Sequence, residues 1–397
     1  MQYLHRMRIY WLSIWIKDLI TTFLLSTPSE ALLNKKILSG AIASGVIVVI
    51  TIAVVLLQIQ PSIPQKDEKL GLYVMVPTET PTLSDLKDAY AEAASTGIGR
   101  NNVYLFWSTI EPQKGEYTWK ISDALMSLNK QNDLKVTLYF SIINNRVFGP
   151  FPEWMGTPQL DENLQDKTVK ILDDILSRYD IIDHVIIGGE IDAYFREHED
   201  DISKYEEFFS GVYTKLKEKH PDVKFGNSFS LHGIISNSQE DLVQKLNQGD
   251  FIAFSYLPVN KLNEIDKTPQ EAKKALEKIL ELAGDKKIAL IEISWSTADT
   301  IGGNQDSQAE FVKTVYSFYR ENESRFEFLT WFRQYDRPVE VCMKGLNTSV
   351  GEISFGNEIV LQNTAEYLCG TGLIDVNKHP KPAWTEFTKQ VQFNPNS

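Results

Sequence analysis

Short apolar runs recur along the chain from residue 70 onward: "LGLYVMV" (70–76), "NVYLFW" (102–107), "KVTLYFS" (135–141) and "HVIIGGE" (184–190). The series continues with "VKFGNSF" (223–229), "FIAFSY" (251–256), "KIALIE" (287–292) and "FEFLTWF" (326–332). Most are continuously apolar rather than alternating, which suits parallel strands covered on both faces. Between them lie stretches with helical period, such as "VKILDDILSRY" (169–179), "TPQEAKKALEKILELAG" (268–284) and "AEFVKTVYSFYREN" (309–322). Gly284 reads as a helix stop. Strand and helix alternating in this way predict an α/β chain, a (β/α)8 TIM barrel over residues 70–392. The rival is a doubly wound open sheet, which wants a glycine-rich turn after an early strand. "STGIGRNN" (95–102) precedes its strand instead.

The N-terminal pattern is different. Residues 37–59, "ILSGAIASGVIVVITIAVVLLQI", carry no charge, and such a run is long enough to cross a hydrocarbon core of about 30 Å. A transmembrane helix is expected there, with the lipid bilayer as its partner. Arg6, Arg8, Lys17, Lys35 and Lys36 precede it and outnumber Asp18 and Glu30. By the positive-inside rule residues 1–36 form a cytoplasmic or interfacial segment, and the C-terminal domain is extracytoplasmic on a single-pass anchor in the cell membrane. Residues 9–25 are apolar but broken by Lys17 and Asp18, which leaves an interfacial helix or a weak second span. Residues 60–69, "QPSIPQKDEK", read as a linker. Cys342 and Cys369 both fall in the external part, as a disulfide or as two unrelated buried thiols.

The formal charge of −13 argues against a nucleic-acid partner, which would need clustered Lys and Arg. The chemistry is suggested by two runs that end on an acid, Glu190 and Glu292. Their spacing fits three strand–helix units, which assigns them to strands four and seven, across the barrel mouth from each other. Active sites of this fold collect at the C-terminal strand ends. Two carboxylates about 5–5.5 Å apart can cleave a glycosidic bond with retention, one attacking and one protonating the leaving oxygen. The bland alternative is a pair of salt-bridged structural acids. A metal-dependent barrel could draw on His184, His232 and the two acids, but the chain has no His-x-His or His-Glu-x-x-His.

Four further segments fall in order around these acids: "TIEPQKGEYTW" (109–119), "FSYLP" (254–258), "LTWFRQYD" (329–336) and "GLIDVNKHPKPAW" (372–384). Together with "IIGGEID" and "LIEISW" they resemble the clan A superfamily of retaining glycoside hydrolases. The resemblance implies that Glu190 is the acid/base and Glu292 the nucleophile. It implies further that Tyr256 holds the nucleophile and that Trp331 floors a sugar subsite. Where that clan has an Asn before the acid/base, this chain has Gly189, so its contact with the sugar would pass to Asn144, Asn145 or His232. Trp295, Trp107 and Tyr194 are candidates for stacking on sugar faces. Glu292 should then have a low pKa and Glu190 a raised one. No metal and no organic cofactor is implied, and the substrate is a polysaccharide or oligosaccharide. The alternative is a catalytically inactive carbohydrate-binding barrel at the cell surface.

Overall fold

The computed structural model describes residues 66–349 and 357–393. The expected membrane span at 37–59, and the segment before it, lie outside the described residues. Among the described residues no helix is long and apolar enough to cross a membrane.

Eight strands form the barrel: β1 (Asp67–Leu72), β2 (Ile98–Tyr104), β3 (Lys135–Asn144), β4 (Ile182–Gly189), β5 (Lys224–Ser230), β6 (Phe251–Tyr256), β7 (Lys287–Ile293) and β8 (Phe326–Trp331). Each pairs in parallel with its neighbour in sequence, and β1 pairs with β8, so the sheet closes. β1 begins at Asp67, inside the stretch expected to be linker. Its Asp67 N–H already donates to Gly97 O at 3.1 Å.

The outer ring comprises α1 (Leu83–Ser95), α2 (Lys120–Gln131), α3 (Glu162–Arg178), α4 (Ile202–Lys219), α5 (Glu240–Leu246), α6 (Pro269–Leu282), α7 (Gln305–Glu321) and α8 (Pro382–Val391). Local chemistry sets the helix ends. Thr82 with Asp85, and Thr268 with Glu271, form reciprocal capping boxes, and Pro269 occupies the first turn of α6. Gly284, at φ 55°, follows the end of α6.

Side chains alternate across each strand. Tyr139, Ile186, Phe251, Ala253, Ala289, Ile291 and Phe328 fill the barrel interior. Their neighbours Ile252, Phe254, Tyr256, Leu290, Leu329 and Trp331 belong to the larger core between sheet and helices. Between β8 and α8 two extra helices, Val339–Ser349 and Glu358–Cys369, are inserted. The Cys342–Cys369 disulfide joins them, so the paired reading of the two cysteines is the one observed.

Candidate active site

Glu190 follows β4 directly, and Glu292 is the next-to-last residue of β7. Both have left-handed backbone, φ 48° and 58°, as do Asn145 (56°) and Arg333 (72°). Non-glycine residues avoid this region, and such strain concentrates where a side chain must be aimed. For Glu292 the reason is visible. Ala289 and Ile291 face the interior, so strict alternation would send the next side chain outward. The register of β7 shifts against both neighbours before Ile293, a bulge that turns Glu292 back into the mouth.

The Tyr104 hydroxyl donates to Glu292, and the Ser255 hydroxyl donates to Glu190. Asn145 Nδ2 donates to the other Glu190 oxygen at 2.8 Å, while the Glu190 N–H donates to Ser228 Oγ at 2.9 Å. Burial, and then the charge of Glu190, push Glu292 up to about 7 against the Tyr104 hydrogen bond and the Arg333 charge. Tyrosines line the floor: Tyr73 packs on Tyr104 at 4.8 Å, and Tyr104 on Tyr139 at 4.8 Å. Burial, then the carboxylates of Glu292 and Glu190, raise Tyr139 well above the ordinary phenol value. A Cβ at Gly189 would collide with the Tyr139 hydroxyl. Glycine at that position is therefore what admits this phenol, on which both acids act.

Several sequence expectations are corrected. Tyr256 does not hold Glu292. It points outward, packs on Phe311 of α7 at 6.3 Å, and its hydroxyl is buried without a partner. Strand alternation gives the inward place to Ser255, and Tyr104 takes the role expected of Tyr256. Trp331 and Trp295 are enclosed against the same Phe311, at 6.1 and 5.0 Å, and present no face to a ligand. Trp107 is also core, with its Nε1 donating to Glu111 Oε2 at 2.9 Å. Tyr194 is buried, stacks on His198 at 4.2 Å and donates to Asp201 at 3.1 Å. His232 bonds neither acid; with Tyr256, Lys261 and Lys267 it lines a pocket of 230 Å³ that includes neither carboxylate. Burial, then Lys267 and Arg196, push His232 down to about 4. Asn144 closes β3 in register with Gly189, and it is its neighbour Asn145 that reaches Glu190. The expected low pKa of Glu292 is reversed, because desolvation and its companion acid outweigh the single hydroxyl donor.

Glu111 is structural: its second oxygen accepts the Gly115 N–H at 2.8 Å, bracing the turn after β2. Asp192 is fully buried and accepts the Ser230 N–H at 2.7 Å, tying the end of β4 to that of β5. Among the described residues no group of three or more His, Cys, Asp or Glu could hold a metal ion. His184 lies at the opposite end of the barrel, against Asp183. Sequence reasoning missed Tyr73, Tyr104, Tyr139, Ser255 and Arg333. A signal for the tyrosines was present, since each of the first three apolar runs carries one.

No protein-family profile matches the chain, and no curated protein matches it. Solved structures do share its architecture. A GH5_18 protein from Bifidobacterium longum subsp. infantis superposes with a TM-score of 0.62 at 13% identity, covering 82% of this chain and 78% of the other. A GH5_18 variant from Streptomyces cattleya, in complex with Manβ1-4GlcNAc, gives 0.60 at 14%, covering 82% and 80%. Xylanase 10B from Thermotoga maritima gives 0.53 at 14%, covering 81% and 94%. At these identities the likeness establishes the fold, a (β/α)8 barrel of the kind that glycoside hydrolases of families 5 and 10 are built on.

Proposed function

We propose that the barrel hydrolyses β-glycosidic bonds in a polysaccharide or oligosaccharide with retention of configuration, through a glycosyl-enzyme intermediate on one of its two mouth acids. The observation that carries this reading is the convergence of Glu190 and Glu292. They sit at the ends of β4 and β7, each re-aimed by a left-handed residue, and the charge of one raises the other. In the assignment suggested by the clan resemblance, Glu292 attacks the anomeric carbon while Glu190 protonates the departing oxygen. Glu190 then returns as base for the water that releases the sugar. Tyr104 would stabilise the charge on Glu292 as it leaves in the second step. Asn145 and Ser255 fix the Glu190 carboxyl in one orientation.

One observation favours a second reading with the roles exchanged. Glu292 is raised to about 7, the range expected of a group that holds a proton at neutral pH. A 2-deoxy-2-fluoro glycoside separates the two readings by trapping the covalent intermediate. Mass spectrometry of the digested protein then shows the sugar on the peptide containing Glu292 or on that containing Glu190. Label on neither, with affinity for glycans but no turnover across β-glucan, β-mannan and β-xylan, would leave the inactive carbohydrate-binding barrel. We further infer that residues 37–59 anchor the domain on the outer face of a cell membrane. Carbonate-resistant membrane association, with the barrel accessible to added protease from outside, tests this placement.

A further inference from the structure

Two cations at the same mouth take no part in the bond-making and proton-transfer steps proposed above. Arg333 and Arg337 lie where the chain leaves β8 for the disulfide-linked helices. Arg333 Nη1 donates to Leu368 O and lies 3.6 Å from Cys342 Sγ, with its guanidinium 4.6 Å over the Phe332 ring. The Arg337 N–H donates to Cys369 O at 3.0 Å. Both arginines are therefore tied to the cross-linked element. Arg333 is also tied to the site, because the Phe332 ring beneath it stacks on Tyr73 at 5.8 Å, Tyr73 packs on Tyr104, and Tyr104 donates to Glu292; the Arg337 charge acts on the same Tyr73.

What the two guanidiniums lack is an anion. The Nε atoms of both are buried without a hydrogen-bond partner. Asp336, the acid between them in sequence, is engaged by Lys381 at 2.6 Å. Glu292 feels the Arg333 charge, but among the described residues the two form no ion pair. The two lie close enough for charge to matter: burial, and then the like charge of Arg337, push Arg333 down. Desolvating cations without a partner is unfavourable, and planar guanidinium forks suit carboxylate or sulfate oxygens.

We propose that Arg333 and Arg337 form a subsite for an anionic substituent on the sugar, a carboxylate or a sulfate ester, so that the substrate is an acidic glycan. The proposal rests on the glycosidase reading of the same mouth, and its test keeps the two apart. The full chain is titrated by calorimetry, and assayed for hydrolysis, with matched β-linked oligosaccharides: one neutral, one with hexuronate in place of hexose, one O-sulfated. An anionic member should bind roughly tenfold or more tighter than the neutral one, with the advantage shrinking as salt is added. The member that binds best identifies the substituent. Arg337→Gln should lower the ratio of anionic to neutral affinity towards one, and Arg337→Lys should restore part of it. Equal or better binding of the neutral member overturns the proposal, as does an anion preference that persists in a folded Arg337→Gln chain. Should that variant fail to fold, the three ligands on the parent protein decide the matter. Hydrolysis of neutral glycans without anion preference would sink this inference alone. Anion preference without hydrolysis of any member would sink the catalytic reading and leave the subsite.

Discussion

The two ends of this barrel treat buried acids in opposite ways. At the N-terminal end, Arg100 of β2 forks onto Asp183 of β4 at 2.6 and 2.8 Å, and His184 Nδ1 meets the same carboxylate at 2.8 Å. Lys224 of β5 pairs with Glu327 of β8 at 2.6 Å. Burial alone would raise Asp183, yet His184 and Arg100 hold it well below the ordinary range. The His184 hydrogen bond and Lys224 bring Glu327 to about 2 despite its burial. At the mouth the barrel presents Glu292 at about 7 and Asp192 at about 8, each raised by burial first and then by Glu190. Left-handed residues gather there, and two arginine Nε atoms go unpaired. Burial acts in the same direction on the acids of both ends. Partners decide whether an acid fastens the fold or is left poised for a reaction.

The largest test of this contrast exchanges one acid at each end for its amide. On the proposed mechanism, Glu292→Gln should lower kcat by roughly 10⁴-fold or more, since either assignment makes this acid the nucleophile or the proton donor. Its circular dichroism should stay native-like and its unfolding midpoint should be no lower than the parent's. Asp183→Asn should do the reverse, leaving kcat within a few-fold while costing about 3 kcal/mol of stability in urea titrations. The reason is that Arg100, only 3% exposed, would lose its charge partner. An Asp183→Asn chain that keeps full stability, or one that loses activity while remaining folded, would break the division between the two ends.

A smaller effect is expected from Tyr104→Phe. Its hydroxyl is the one side-chain donor to Glu292 found among the described residues. A hydrogen bond to a charged group contributes about 1.5–3 kcal/mol, so kcat should fall roughly 10- to 100-fold with KM little changed. Because that hydrogen bond lowers the Glu292 pKa, the limb of the pH–rate profile governed by Glu292 should also move to higher pH. A fall in activity without movement of that limb would point to a packing role for Tyr104 instead.

Much of this contrast was legible in the sequence, and the illegible part has a physical cause. The continuous apolar runs located the eight strands because a sheet covered on both faces needs them. The two terminal acids stood out because an unpaired Glu is foreign to such a run. What the runs concealed was facing, since a continuously apolar strand does not show which residues point inward. Hence nothing in the runs counters the resemblance where it points to Tyr256 and Trp331, although the structure turns Ser255 inward and packs Trp331 on α7. The network at the other end was hidden for a related reason. β2 starts at Ile98, upstream of the apolar run at 102, so Arg100 looked like loop until the pairing with β1 and β3 placed it inside. Left-handed backbone at Glu190 and Glu292 has no sequence signature at all, because neither residue is one that favours it.

The smallest expected effect, on pH-dependent stability, separates the two ends by sign. Asp183 and Glu327 are depressed from ordinary values of 3.8 and 4.5. Their contribution is therefore complete above about pH 5 and is lost as the pH falls towards 2. Glu292 and Asp192 are raised, so the folded chain holds their protons more tightly than the unfolded chain does. That contribution is complete below their unfolded values of 4.5 and 3.8, and it fades as the pH rises to about 7 for Glu292 and about 8 for Asp192. The two trends together place greatest stability near pH 4, between the unfolded values of 3.8 and 4.5, with a decline from there towards pH 8. Glu292→Gln has no proton to lose at that position, so its urea midpoint should decline less between pH 5 and 8 than that of the parent. Asp183→Asn should leave this alkaline decline intact and flatten the acid limb. If both variants trace the parent curve through pH 8, Glu292 ionises in the folded chain as readily as in the unfolded one, and the mouth is no more poised than the base.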